Sequence, residues 1–193
     1  MDWTDADAAE QARKGDQQAF RVLVERHSQS IFRLAFRMTG NEQDAEDTVQ
    51  ETFLRAYKQL HRFDGRAAFS TWLYRICANC SLDLIRARKS RKEQQDSTGE
   101  GATAHWLERV AARDPSPERL SQSRQIANLL EPALQRLSEI ERTAFVLRHY
   151  EGCDINQIAD VLGVGANAAK HSVFRAVQKL RRALQPAWEV GAR

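Results

Sequence analysis

Cys77 and Cys80 stand as a Cys-x-x-Cys pair inside "WLYRICANCSLDLIRARKSRK", which runs from Trp72 to Lys92. That spacing can supply half of a tetrahedral zinc site or a redox dithiol, and each chemistry has further needs. A structural zinc site takes four ligands, normally from a second pair, and only Cys153 and scattered histidines remain. A redox pair usually sets its first cysteine at a helix N-terminus, where free N–H groups lower the thiol pKa. Here Cys77 falls well inside a helical pattern. On a wheel of about 100° per residue, Leu73, Ile76, Cys77, Cys80 and Leu84 share one apolar stripe. Both cysteines therefore sit where core residues belong, as small hydrophobes. Trp72, Arg75, Asn79 and Arg86 fall on a different face.

That second face is followed by "RARKSRK". Lysine and arginine neutralise phosphates and aromatic rings stack on unpaired bases, so basic residues among rings suit single-stranded nucleic acid. Phe63, Phe69, Trp72 and Tyr74 supply rings. A solvated basic face over buried aromatics fits the same stretch equally well.

A second constellation lies near the C-terminus. "DINQIADVLGVGANAAKHSVFRAVQKLRRAL" has the pattern of a helix-turn-helix. Ile155, Ile158, Ala159 and Leu162 form an inner face, Gly163 permits the left-handed backbone of the turn, and Ala169, Val173, Ala176, Val177 and Leu180 pack the second helix. The opposite face presents Asn167, His171, Arg175, Gln178 and Arg182, flanked by Lys170 and Arg181. Such groups read base edges or grip phosphates in a major groove. The alternative is a plain helical hairpin with a wet face. Phe174, at the edge of the apolar stripe, can pack inward or meet a thymine, and packing is the expectation.

The elements that must position these groups are helical. The chain has 193 residues, 42% hydrophobic and 28% charged, with a formal net charge of +3. No stretch approaches the roughly 18 apolar residues of a membrane span. The N-terminus "MDWTDADAAEQ" is acidic and lacks an apolar signal segment. Three cysteines are too few for a disulfide framework, and a reducing, cytoplasmic setting is expected. His61 to Lys92 carries eight Arg or Lys against two Asp, while Asn41 to Leu60 carries five acids against two bases. An anionic partner for the basic block and a basic partner for the acidic helix follow.

Apolar periodicity predicts helices through Phe20–Met38 and Ala45–Leu60, and a third from a Ser70 or Thr71 cap to about Arg88. No alternating strand pattern occurs. Residues 91–117 read as a polar, Pro- and Gly-bearing linker, with a short helical piece at His105–Ala112. Beyond it come helices over Ile126–Leu137 (despite Pro132), Ile140–His149, Ile155–Leu162 and Ala166–Leu184. The expected fold is all-α: two small helical domains, 1–90 and 118–186, joined by a flexible linker, with a short tail at 187–193. No nucleophile–base pair, phosphate-binding glycine loop or metal-ligand spacing is present, so neither a catalytic residue nor a cofactor is expected.

Taken together, "GDQQAFRVLVERH", "DAEDTVQETFLRAYKQLHRFDGRAAFSTWLYRICANCSLDLIRARKSR" and "LSEIERTAFVLRHYEGCDINQIADVLGVGANAAKHSVFRAVQKLR" resemble the extracytoplasmic-function (ECF) class of bacterial RNA polymerase sigma factors. The resemblance covers about two-thirds of the chain. It implies that the acidic helix, through Asp44, Asp47, Gln50 and Glu51, docks on the β′ clamp helices of core RNA polymerase. It implies a pocket for a flipped minus-ten base at Phe63 and Asn79, helped by Ile76 and Trp72, with Arg75, Arg86, Arg88 and Lys89 following the phosphates. The helix-turn-helix would read the minus-thirty-five element through Asn167, Lys170, His171, Arg175, Gln178 and Arg182, and its domain would touch the β flap. An anti-sigma factor is the implied regulator. The chain departs from the pattern at Ser138, where the family commonly has Pro, and at His171 and Ser172, where Ser and Arg are frequent. Two rival readings remain: a dimeric helix-turn-helix repressor or activator with its own effector domain, and a thiol or zinc sensor built on Cys77, Cys80 and Cys153.

Overall fold

The computed structural model describes residues 3–94, 130 and 132–190. The described residues are helical throughout, without a strand. The N-terminal domain comprises α1 (Asp5–Arg13), α2 (Gln17–Thr39), α3 (Glu42–Gln59), a 3-10 turn (Leu60–Arg62) and α4 (Phe69–Gln94). The C-terminal domain comprises α5 (Glu139–His149), α6 (Ile155–Leu162) and α7 (Ala166–Val190), preceded by a helical segment at 132–135.

Local chemistry sets most boundaries. Asp16 caps α2 by accepting from the Gln18 and Ala19 N–H groups, and Gly40 ends it at φ 81°. Asn41 then starts α3 by accepting from Asp44 N–H at 2.8 Å. Ser138 and Glu141 form a capping box at α5, which the absence of proline at this position leaves intact. Asp154 and Gln157 do the same for α6. Gly163 closes α6 at φ 65°, the left-handed turn that lets α7 leave at an angle.

Several expectations are corrected. Helix α1 was not anticipated; Thr4 and Asp7 cap it and Ala8, Ala9 and Ala12 bury it. Neither Ser70 nor Thr71 caps α4, which already begins at Phe69, with Trp72 N–H bonded to Ala68 O. That helix runs on to Gln94, past the expected end of the domain, and α7 continues past Leu184 to Val190. Most of the linker, the piece at His105–Ala112, and residues 126–129 and 131 of the expected Ile126–Leu137 helix lie outside the described residues.

Leu23, Ile31, Leu34, Met38 and Leu73 fill the centre of the N-terminal domain, and Leu147, Val146 and Ile158 that of the C-terminal one. These form one continuous core, because the two domains pack directly on each other. Arg142 Nη1 donates to Met38 O at 2.7 Å, and Arg33 Nη2 lies 3.2 Å from Glu151 Oε2. Among the described residues no helix is long and apolar enough to cross a membrane.

Candidate nucleic-acid and polymerase interfaces

Cys77 and Cys80 are buried in the core, Cys77 completely. Burial pushes the Cys77 thiol from 9.0 up to about 12 and raises Cys80 as well. Both are packing residues, with Cys77 Sγ 3.8 Å from Ile31 O. This removes the chemistry that thiolate nucleophiles or ligands require.

The other face of α4 carries Arg75, Asn79 and Arg86, all exposed, beside a half-buried Trp72. Steps of three, four and seven residues align them along the helix. Phe63, on the loop before α4, is only 8% exposed. Its ring lies 5.4 Å from Phe69, edge-on at 88°, and 5.3 Å from Trp72. The three aromatics thus form a cluster beside Asn79's helix rather than free stacking platforms. Ile76 is likewise buried. Arg13 of α1 donates to Phe63 O at 3.3 Å, tying the loop to a helix that the sequence reading missed.

Arg86 and Arg88, farther along α4, are engaged. Arg86 Nη2 meets Glu139 Oε2 of α5 at 2.8 Å, and Arg88 holds Asp44 of α3 through both guanidinium Nη atoms. Lys89 follows in the same helix. Near the start of α4, a Cβ on Gly163 would stand 3.8 Å from Arg75 Nη2, and Gln157 Nε2 donates to Thr71 Oγ1 at 3.4 Å.

On α3, Asp47 and Gln50 are exposed and Glu51 is half-buried, paired with Arg55. Asp44 departs from the expectation of an open acidic face. It is 4% exposed, bonded to Asn41 and Arg88, so it anchors the helix start instead of facing a partner. A small-residue spacing alone could not separate it from Asp47, since both fall on one stripe.

On α7, Asn167, Lys170, His171, Arg175 and Arg182 are exposed and Gln178 half-buried, forming one outward face. Ala169, Ala176 and Leu180 bury the opposite side. Ser172 turns inward and donates to Ala168 O at 2.9 Å. Phe174 overturns its expectation: at 61% exposed, its ring stands among the polar groups of the outward face. Arg175 Nε lies 3.4 Å from Glu141 Oε1 and Lys179 Nζ 2.7 Å from Glu141 Oε2, which orients this face against α5.

Residues 23–91 match the Sigma-70 region 2 family and residues 127–180 match Sigma-70, region 4. Two DNA-facing helical modules in that order define an RNA polymerase sigma factor. The chain is 35% identical over 182 residues to the RNA polymerase sigma-H factor of Pseudomonas aeruginosa, covering 94% of each chain. It is 33% identical to the ECF RNA polymerase sigma factor SigW of Bacillus subtilis, covering 91% of this chain and 94% of that one. Among solved structures, CnrH in complex with the cytosolic domain of CnrY matches at TM-score 0.67 and 28% identity, over 94% of this chain and 97% of that one. The chain belongs to the ECF RNA polymerase sigma factors. It is a transcription factor of the kind that directs promoter-specific initiation.

Proposed function

We propose that this chain binds core RNA polymerase and recognises two promoter elements with separate faces, melting the minus-ten region by trapping an extruded base. The N-terminal domain, with α4 running to Gln94, serves polymerase and minus-ten binding, and the C-terminal domain, with α7 running to Val190, serves the minus-thirty-five element. The observation that carries this reading is the alignment of Arg75, Asn79 and Arg86 along exposed α4, next to the Phe63 loop. Asn79 offers an amide that can donate to and accept from a base edge. Phe63, Trp72 and Ile76 supply the apolar wall, and trapping a base against it must offset a few kcal/mol of unstacking. Arg75 and Arg86 track phosphates, and Arg88 and Lys89 extend the track toward the helix end.

Exposed Asp47 and Gln50, with Glu51, are the groups of α3 suited to the basic surface of the β′ clamp helices. Asp44 supports that contact by holding Arg88. The α7 face reads the minus-thirty-five duplex through Asn167, Lys170, His171, Arg175, Gln178 and Arg182, and its domain meets the β flap. Regulation is by an anti-sigma factor, as the family resemblance implies; CnrH, a structural relative, was solved in complex with the cytosolic domain of CnrY. The protein works in the cytoplasm as a polymerase subunit and carries out no catalysis of its own.

The test is gel filtration of the full chain with bacterial core RNA polymerase, followed by transcription from promoters upstream of its own gene. Co-elution with promoter-dependent initiation is expected, with initiation lost in Asn79→Ala while co-elution persists. A chain that stays apart from the polymerase and binds duplex DNA as a dimer would overturn the reading.

A further inference from the structure

Helix α1 lies outside residues 23–91, the part of the chain that matches region 2, yet it reaches the loop that the minus-ten reading uses. Arg13, in its last turn, donates through Nη1 to Phe63 O at 3.3 Å. Its first turn is fixed as well: Asp5 pairs with Arg26, and Asp5 Oδ2 lies 2.8 Å from His27 Nε2. The His27 ring stands 5.5 Å from Phe69, and Phe69 stands 5.4 Å from Phe63. The contacts therefore close a ring that leaves α1 at Asp5 and returns to it at Arg13. Ala8, Ala9 and Ala12 are buried between these ends, small enough to seat the helix close to its neighbours. We propose that α1 is a brace for base capture, with Arg13 as a positioning residue that aims the Phe63 loop at the flipped minus-ten base. This inference rests on the minus-ten reading.

The geometry gives Arg13 leverage. The Phe63 ring is held by Phe69 and Trp72, and the Phe63 N–H donates to Leu60 O at 3.1 Å. Its carbonyl is held by Arg13, and that carbonyl shares a planar peptide unit with the Asp64 N–H. Fixing Phe63 O therefore fixes the direction in which Asp64, Gly65 and Arg66 leave. Those three residues are exposed, and the tip they form folds on itself. Arg66 N–H donates to Asp64 Oδ1 at 3.1 Å, and Gly65 stands at φ 75°. A tip built from local bonds keeps its own shape and takes its aim from its base. A loop already aimed loses less binding free energy to ordering when a base arrives. Arg13 is itself exposed, so replacing it changes the loop and leaves the core of the domain intact.

The experiment uses holoenzyme, the full chain bound to core RNA polymerase, and a pool of forked DNA with a random single-stranded segment. Wild-type holoenzyme is expected to enrich one base at the captured position. Arg13→Met keeps the apolar stem and loses the donor. It should co-elute with core polymerase as the wild type does and melt within about 4 °C of it. It should lower the preference at that one position about fivefold, the factor that one modest hydrogen bond supplies. Arg13→Lys, which can still donate to a single carbonyl, should restore most of the preference. Asp5→Ala frees the other end of the brace and should flatten the same position. Preference unchanged in Arg13→Met or in Asp5→Ala overturns the proposal, and so does a fall spread evenly over all positions. Equal loss in Arg13→Met and Arg13→Lys also overturns it, because the donated bond would then not be the cause. Asn79→Ala separates the two ideas. If it flattens the captured position and Arg13→Met does not, the brace fails and the minus-ten reading survives. If Arg13→Met flattens that position and Asn79→Ala does not, the brace stands and the Asn79 pocket does not. If the wild type enriches no base, the minus-ten reading fails and the brace with it.

Discussion

Arg142 is the side chain whose removal tests the C-terminal packing most directly. It is 6% exposed and donates three hydrogen bonds to carbonyl oxygens: Leu134 at 3.0 Å, Gln135 at 3.1 Å and Met38 at 2.7 Å. The first two carbonyls end the helical segment before α5, and the third lies near the end of α2 in the other domain. In Arg142→Met the apolar stem is kept while the three donors are lost. Each charge-assisted bond is worth about 1.5–3 kcal/mol. Leu134 O and Gln135 O lie near the exposed turn at Gln135 and Arg136 and can recruit water, so part of that loss is recovered. Relief of guanidinium desolvation recovers more. The expected net destabilisation is about 3 kcal/mol, which for a chain of this size lowers the melting temperature by about 6–12 °C. Urea unfolding followed by far-UV circular dichroism measures it. Arg142→Lys should recover less than half, since one ammonium cannot span three carbonyls. A loss below about 1 kcal/mol for Arg142→Met would refute the reasoning, because a buried three-bond hub would then be dispensable.

Cys77, Cys80 and Cys153 should be unreactive toward a thiol reagent at pH 8 in the folded chain and fully reactive in denaturant, because all three are buried. The Cys77 thiol stands at about 12 folded against 9.0 in its unperturbed state, so the unfolded chain releases that proton first as pH rises. Stability is therefore unaffected by this group below about pH 9 and declines as pH climbs toward 12, which denaturant midpoints measured at pH 8 and 10.5 would show. Phe174→Ala, at an exposed position, should change stability by no more than about 0.5 kcal/mol. It should weaken binding to a minus-thirty-five duplex several-fold by gel shift, and unchanged binding would remove the ring from the reading face. Gly163→Ala forces an L side chain to φ 65° and should cost about 1–2 kcal/mol by thermal melt.

Much of this was legible in the residues. The stripe through Leu73, Ile76, Cys77, Cys80 and Leu84 placed both cysteines in the core, because helical periodicity is a strong signal over a long segment. Gly163 marked a helix end through its backbone freedom, which depends on neighbours only. What escaped was set by distant partners. Asp44 and Asp47 share a stripe, and only Arg88, 44 residues away, draws one of them out of solvent. Phe174 sits at the margin of an apolar stripe, where periodicity cannot say which side wins. Helix α1 was missed although Thr4 and Asp7 carry a capping signature, because its buried residues are alanines and give little hydrophobic contrast. The docking of the two domains left no trace in hydropathy, since Arg33, Arg142 and Glu151 read as surface charges until a partner is known.

The polar make-up of that docking surface bears on how the protein can act. The basic block of His61 to Lys92 lies between acidic stretches, and in the folded chain part of its acidic counterpart is the chain itself: Glu139 for Arg86 and Asp44 for Arg88. Behind these rim pairs the buried side chains of both domains form one continuous core, so the contact is apolar at its centre and charged at its edge. Asp44 and Arg88 pair within the N-terminal domain and, with Asn41, fix the start of α3. Arg142 joins the two sides, donating to Leu134 O and Gln135 O in its own domain and to Met38 O in the other.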